Sequence, residues 1–177
     1  AALDNTAPIA AAVATVLARC GRIDILVNNA GTIQRASALD YSEQAWDAVN
    51  DVNIKAAFFL AQAVARGWVA AGRGGKVINV VSMLSFQGGI RTAAYTASKS
   101  ALLGITRLLC NEWAPLGINV NAIAPGYFAT NNTRLLRDDE GRSREILARI
   151  PAARWGEPDD LGGAAVFLAS AAADYVH

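Results

Sequence analysis

Histidine is almost missing from this chain: of its 177 residues only the last, His177, is one. A histidine-based triad and a multi-histidine metal centre are thereby excluded, and no metal is expected. Acid–base chemistry falls to Tyr, Lys, Asp, Glu, Ser or water. Cysteine is nearly as scarce. Cys20 and Cys110 both sit in helical patterns, read as buried small hydrophobes, and offer no disulfide framework. That usage predicts a reducing cytoplasm. Sixteen basic against fifteen acidic residues leave a net charge of +1, with no electrostatic footprint for nucleic acid or an anionic membrane. The longest apolar run, residues 161–173, is too short to cross a bilayer. No basic start leads into an apolar signal segment. Lysine is sparse as well: Lys55, Lys76 and Lys99 stand among sixteen basic residues. A chain that prefers arginine keeps lysine where a compact, tunable ammonium is needed.

What is present is apolar and periodic. Hydrophobic residues make up 53% of the chain and charged ones 18%, enough for one packed domain. Thr6 and Pro8 open a helix that Gly21 ends. Residues 23–28, "IDILVN", form a short apolar run that suits a buried strand. Ser42 starts a helical region that continues towards Val69. Residues 76–82 predict a second strand, 92–113 a long helix closed by Pro115 and Gly117, and 118–124 a third strand. Short helices are expected over 131–137 and 143–150, then a loop over 151–158 and a last helix over 159–171. Strands separated by helices imply a parallel sheet covered on both faces, a doubly wound, Rossmann-like α/β fold. Such sheets bind ligands at the carboxyl ends of their strands. The ends of the chain read as an internal fragment: no starting Met, no G-x-G-x-x-G loop, and a stop just after a helix.

Those strand ends carry polar and glycine residues: "NNAG" at 28–31, Ser82, and "APGYFAT" at 124–130. Tyr95 and Lys99, four apart, share one face of the long helix near the same rim. A free Tyr, with a pKa of about 10, is a poor base at neutral pH. A neighbouring ammonium favours the tyrosinate, and Lys99 is placed to supply it. Tyr95 would then take a proton from a secondary alcohol as hydride leaves, or donate it in reduction. Ser82, on a Gly-rich loop that folds back towards Tyr95, would hold the substrate oxygen. Each residue alone also suits a solvated helix face or a helix cap.

Tyr-x-x-x-Lys with Ser82 thirteen residues earlier, "NNAG" upstream and "PG" downstream resembles the short-chain dehydrogenase/reductase family. A lone Tyr-x-x-x-Lys arises often by chance. The features "NNAG", "DVN", Ser82, "YTASK" and "NAIAPGYFAT", in the family's order, are specific together and span essentially the whole chain. The resemblance implies a catalytic set of Asn53, Ser82, Tyr95 and Lys99. Lys99 would also hold the nicotinamide ribose, and Asn53 would kink its helix and support a water relay. Asn28 would steady the sheet, with Ala30 and Gly31 along the adenosine half of the cofactor. Pro125, Gly126, Phe128 and Thr130 would lie against the nicotinamide. The implied cofactor is NAD, with NADP the alternative, because the residue that chooses should precede Ala1. The family's first βαβ unit and last strand would also lie outside residues 1–177, which form a single partial domain. A homotetramer or homodimer through the two long helices is implied.

Three stretches, "SMLSFQGGIR", "AIAPGYFATNNT" and "RIPAARWGEPDDL", resemble the branch acting on deoxy-keto sugar acids. A hydroxylated carboxylate calls for a cation and hydrogen-bond donors. Arg91 is the preferred cation and Arg35 the second; Gln87, Asn131 and Asn132 are candidates for the hydroxyls. Arg154 reads as structural. Trp155 packs either in its loop or at a subunit contact. The alternatives keep the mechanism on gluconate or a 3-oxoacyl carrier protein, or make the chain an inactive fragment.

Overall fold

The computed structural model describes residues 3–177. Three parallel strands, β1 (Ile25–Asn28), β2 (Gly75–Val80) and β3 (Ile118–Ile123), lie in the order β1–β2–β3. Ile25 pairs with Lys76, and Lys76 with Asn119, so the three carboxyl ends form one rim. Helices connect them: α1 (Ile9–Cys20) precedes β1, α2 (Glu43–Asn50) and α3 (Ala57–Ala70) lead to β2, and α4 (Ala93–Trp113) leads to β3.

Alternate strand residues face opposite layers. Val77 and Val120 pack with Ala61, Val64, Ala65 and Trp68 of α3 and Leu109 of α4. Trp68 is 1% exposed, and its indole N–H donates to the Ile23 carbonyl at 2.6 Å. Burying so large a ring contributes on the order of 5 kcal/mol. Room for it depends on Gly75, where a Cβ would come within 2.4 Å of the indole. On the other layer, Asn119 and Asn121 donate to the carbonyls of Asp174 and Val176, tying the last residues to β3.

The structure departs from the expected elements at several points. β1 begins at Ile25, because the Ile23 carbonyl is taken by Trp68. Ile25 and Val27 of β1 are 44% and 47% exposed among the described residues, and α7 (Gly162–Ala169) lies against β2 and β3. The helix expected over 143–150 is α6 (Glu140–Leu147), started early by the Asp139 carboxylate, which accepts from the Arg142 N–H. The helix expected over 159–171 is only α7, flanked by 3₁₀ turns over Pro158–Leu161 and Ala171–Ala173. Cys20, at the last turn of α1, is exposed, whereas Cys110 is buried. The helix expected over 131–137 is a 3₁₀ turn, Asn131–Thr133, followed by α5 (Arg134–Asp138). Between α2 and α3 the helix widens into a π segment, Asp51–Ala56, centred near Asn53. Among the described residues no helix is long and apolar enough to cross a membrane.

Candidate active site

Asparagines near the ends of β1 and β2 commit their polar atoms locally. Asn28, buried at the end of β1, donates to the Ala57 carbonyl at 3.1 Å and to Asn79 at 2.9 Å. Asn79 passes the chain on to Thr106 of α4 at 2.9 Å, so β1, β2, α3 and α4 are joined by side-chain amides. Past β1, Ala30 and Gly31 present exposed backbone. A Cβ on Gly31 would sit 3.4 Å from Lys99 Nζ and 3.5 Å from Asn53 Oδ1, so its absence keeps a shelf open beside Lys99.

Asn53 is 1% exposed in the π segment. Its amide accepts from the Thr32 N–H at 2.8 Å, donates to the Thr32 carbonyl at 2.9 Å, and donates to Ser98 Oγ at 3.1 Å. Ser98 in turn donates to the Tyr95 carbonyl at 2.9 Å. The loop after β1, the π segment and the start of α4 are thus one polar network. Such π bulges are frequent at functional sites.

Tyr95 lies in the first turn of α4, where the helix dipole favours a negative charge. Lys99 is 3% exposed, and its ammonium donates to the Val80 carbonyl at 2.7 Å. It stands 5.8 Å from the centre of the Tyr95 ring. Burial pulls Lys99 down from 10.5 to about 8. Burial also raises the Tyr95 phenol above its ordinary value, against the lowering effects of a hydrogen bond with Ser82 and the charge of Arg35. The cation that counters burial at the phenol is Arg35, while Lys99, itself held near 8, loses its own proton before the phenol does. One of the three Lys99 N–H donors goes to the end of β2, which leaves two.

Ser82 and Tyr95 open into a cavity of about 580 Å³. Arg35, Gln87, Arg91, Gly126 and Asn132 line it as well, with Tyr127, Arg142 and Arg149. Asn28, Ala30, Gly31, Asn53, Lys99, Pro125, Phe128, Thr130 and Asn131 lie outside its lining. Pro125 accepts from the Met83 N–H at 3.0 Å; Phe128 bridges to Gly156; Thr130 accepts on its carbonyl from Arg137 at 3.2 Å. No acidic side chain lines the cavity, and among the described residues Arg35, Arg91 and Arg149 have no carboxylate partner. Burial lowers the Arg35 pKa, and neighbouring Arg91 adds to that. Arg91 adopts φ 62°, a left-handed conformation unusual outside glycine, and its carbonyl accepts from the Ala36 N–H at 3.2 Å. That bond draws Arg35 and Arg91 together across two loops.

Sequence reasoning missed Tyr127, Arg142 and Arg149. Arg142 and Arg149 are seven residues apart, two helical turns, so a shared face was available as a signal. Tyr127 stacks edge-on against Trp155 at 5.7 Å, and the Trp155 indole donates to Ser143 at 3.3 Å, which sets α6 over the pocket. That contact gives Trp155 a packing role in its loop. Arg154 grips Asp160 at 2.6 and 2.9 Å.

Residues 3–177 match the profile of a family described as enoyl-(acyl carrier protein) reductase. The chain is 64% identical to 2-dehydro-3-deoxy-D-gluconate 5-dehydrogenase of Dickeya dadantii, over 95% of this chain and 66% of that protein. It thus spans just under two thirds of that relative's length. A solved structure of a putative 2-deoxy-D-gluconate 3-dehydrogenase from Agrobacterium tumefaciens, with bound NADP, matches at 62% identity and a TM-score of 0.86, over 88% of this chain and 63% of that one. A putative NAD(P)-dependent gluconate 5-dehydrogenase from Beutenbergia cavernae, also with NADP, matches at 51% identity and a TM-score of 0.94, over 100% and 70%.

Proposed function

The chain belongs to the short-chain dehydrogenase/reductase family, and on that premise we propose that it holds the catalytic centre of an oxidoreductase. The reaction moves a hydride between a nicotinamide cofactor and a secondary alcohol or ketone of a deoxy-keto sugar acid. One observation carries the reading: a Ser–Tyr pair opens into a cavity lined by four arginines and no acid.

Tyr95 exchanges the proton of the reacting hydroxyl. At neutral pH the phenol is protonated, which suits it to donate a proton to a carbonyl oxygen, with Arg35 and Ser82 easing the charge it then carries. Ser82 holds that oxygen. Arg91 and Arg35 take the carboxylate, where a planar guanidinium can bind both oxygens, and Gln87 and Asn132 meet the sugar hydroxyls. Tyr127, Arg142 and Arg149 close the pocket from the α6 side. Lys99 beside the Gly31 shelf would hold the nicotinamide ribose, Ala30, Pro125, Gly126, Phe128 and Thr130 would line the rest of the nucleotide, and Asn28 would steady the end of β1 beneath it. The bound nicotinamide supplies or accepts the hydride. Asn53 keeps Thr32 and the first turn of α4 in place.

NADP in two solved relatives makes it the first cofactor to try, with NAD beside it. The 51% identity to a putative gluconate 5-dehydrogenase favours gluconate as the second substrate. A dehydrogenase assay over deoxy-keto sugar acids, gluconate and a 3-oxoacyl thioester tests the reading. Fastest turnover on the sugar acids is expected, and turnover on the thioester alone would overturn it. Tyr95→Phe should remove nearly all hydride transfer and leave cofactor binding similar. A homodimer or homotetramer through α3 and α4 suits exposed Phe59 and Leu108, 39% and 46% accessible; light scattering at the monomer mass would refute it. A cytoplasmic location fits the nicotinamide pool and two free cysteines.

A further inference from the structure

The turn that follows Ser82 carries a second serine with no assigned role. Residues Met83–Ser85 form a 3₁₀ turn capped by Ser82, whose Oγ accepts from the Leu84 N–H at 3.1 Å. The return contact of a capping box normally comes from a Glu or Gln long enough to reach back. Here Ser85 fills that place. Its Oγ accepts from the Ser82 N–H at 3.3 Å and donates to the Lys99 carbonyl at 2.8 Å. A hydroxyl has one proton and two lone pairs, so it can make both bonds together. Its donor is spent on α4 and its acceptor on the backbone of Ser82.

From these bonds we infer that Ser85 is a positioning residue: it fastens the Ser82 loop to the helix carrying Tyr95 and Lys99, and so fixes the Ser82 hydroxyl relative to the Tyr95 phenol. The inference rests on the reading that Ser82 and Tyr95 act together. Other bonds on this loop hold it elsewhere. Met83 N–H reaches Pro125 at 3.0 Å, and Ser85 N–H returns to Ser82 at 2.9 Å. Ser85 supplies a side-chain hydrogen bond from this turn to the backbone of α4. The Lys99 carbonyl lies inside α4, where the helix offers it a second donor, so loss of the Ser85 bond spares the helix. Ser85 is half-buried.

The test uses the full polypeptide that carries these residues, with Ser85→Ala, Ser85→Thr, Ser82→Ala and the Ser82/Ser85 double variant. Ser85→Ala should lower kcat about tenfold, leave KM for the dinucleotide and the thermal midpoint nearly unchanged, and speed amide exchange at Ser82. Ser85→Thr should restore kcat to within about threefold. In the Ser82→Ala background, Ser85→Ala should cost nothing further, because the hydroxyl it positions is gone. Wild-type kcat in Ser85→Ala beside a crippled Ser82→Ala would overturn the role of Ser85 alone, as would additive losses in the double variant. Full turnover in Ser82→Ala would overturn the reading of the site and the role of Ser85 with it.

Discussion

Raising the pH from 7 to 10 should stabilise this fold, and Lys99 is the reason. Its ammonium is 3% exposed and meets only a neutral carbonyl, so burial holds its pKa near 8 against 10.5 in an unfolded chain. Below about pH 8 both states carry the proton, and the folded state bears the whole cost of burying the charge. Between about 8 and 10.5 the unfolded chain binds the extra proton, so stability rises with pH. With about 1.4 kcal/mol per pKa unit, the gain reaches roughly 1.4 kcal/mol at pH 9 and roughly 2.5 kcal/mol at pH 10. Tyr95 acts in the opposite sense: its raised pKa contributes stability that is intact below pH 10 and lost above it, so the titration stops there. Urea unfolding followed by circular dichroism at pH 7, 8, 9 and 10 measures the effect. The slope should vanish in Lys99→Met, and the difference between the two proteins cancels every other group. An equal slope in Lys99→Met would refute the reasoning. Should that variant fail to fold, NMR titration of the Lys99 side chain in the wild type gives the same answer.

Asn53→Ala should cost about 2–4 kcal/mol in urea unfolding, because it strips partners from the Thr32 amide and carbonyl and from Ser98. Gly74→Ala should cost about 3 kcal/mol or more in the same assay, since its Cβ would lie 2.0 Å from the Gly117 carbonyl oxygen, where only backbone can yield. Arg91→Gly should match or exceed the wild-type thermal midpoint, because glycine accepts φ 62° freely, while KM for the sugar acid rises about tenfold. A fall in midpoint with KM unchanged would reverse that assignment of Arg91.

The alternation of strands and helices was legible because apolar runs bounded by Gly, Pro and Asn leave little choice of period. Ser82 and Tyr95 were legible because a strand end and a helix start meet on one rim. The electrostatics were not. Helical spacing places Lys99 on the face of Tyr95, yet it is tertiary packing that sends its ammonium to Val80. Arg35 reaches Tyr95 through a loop fold that a backbone bond from Ala36 to Arg91 fixes, and no local pattern encodes such a bond. Arg142 and Arg149 were hidden for a like reason. α6 and the turn after it fold over the pocket through Trp155 and Ser143, contacts between stretches that look like plain surface. Cys20 misled because a helical pattern says which residues share a side, not whether anything covers it.

The π segment at Asp51–Ala56 also works as a phase shifter. Successive residues of an α-helix advance by about 100°, so an unbroken helix would set Trp68 roughly 100° around the axis from Val49, and Ala61 roughly 120°. One residue absorbed in a wide turn takes back about 100°, which brings all three to within about 20° of one another. Val49, Ala61 and Trp68 are indeed 0%, 1% and 1% exposed. A single-residue deletion here would let the segment close into plain α-helix with the flanking faces still in phase, so the chain would keep its core and lose the Asn53 knot.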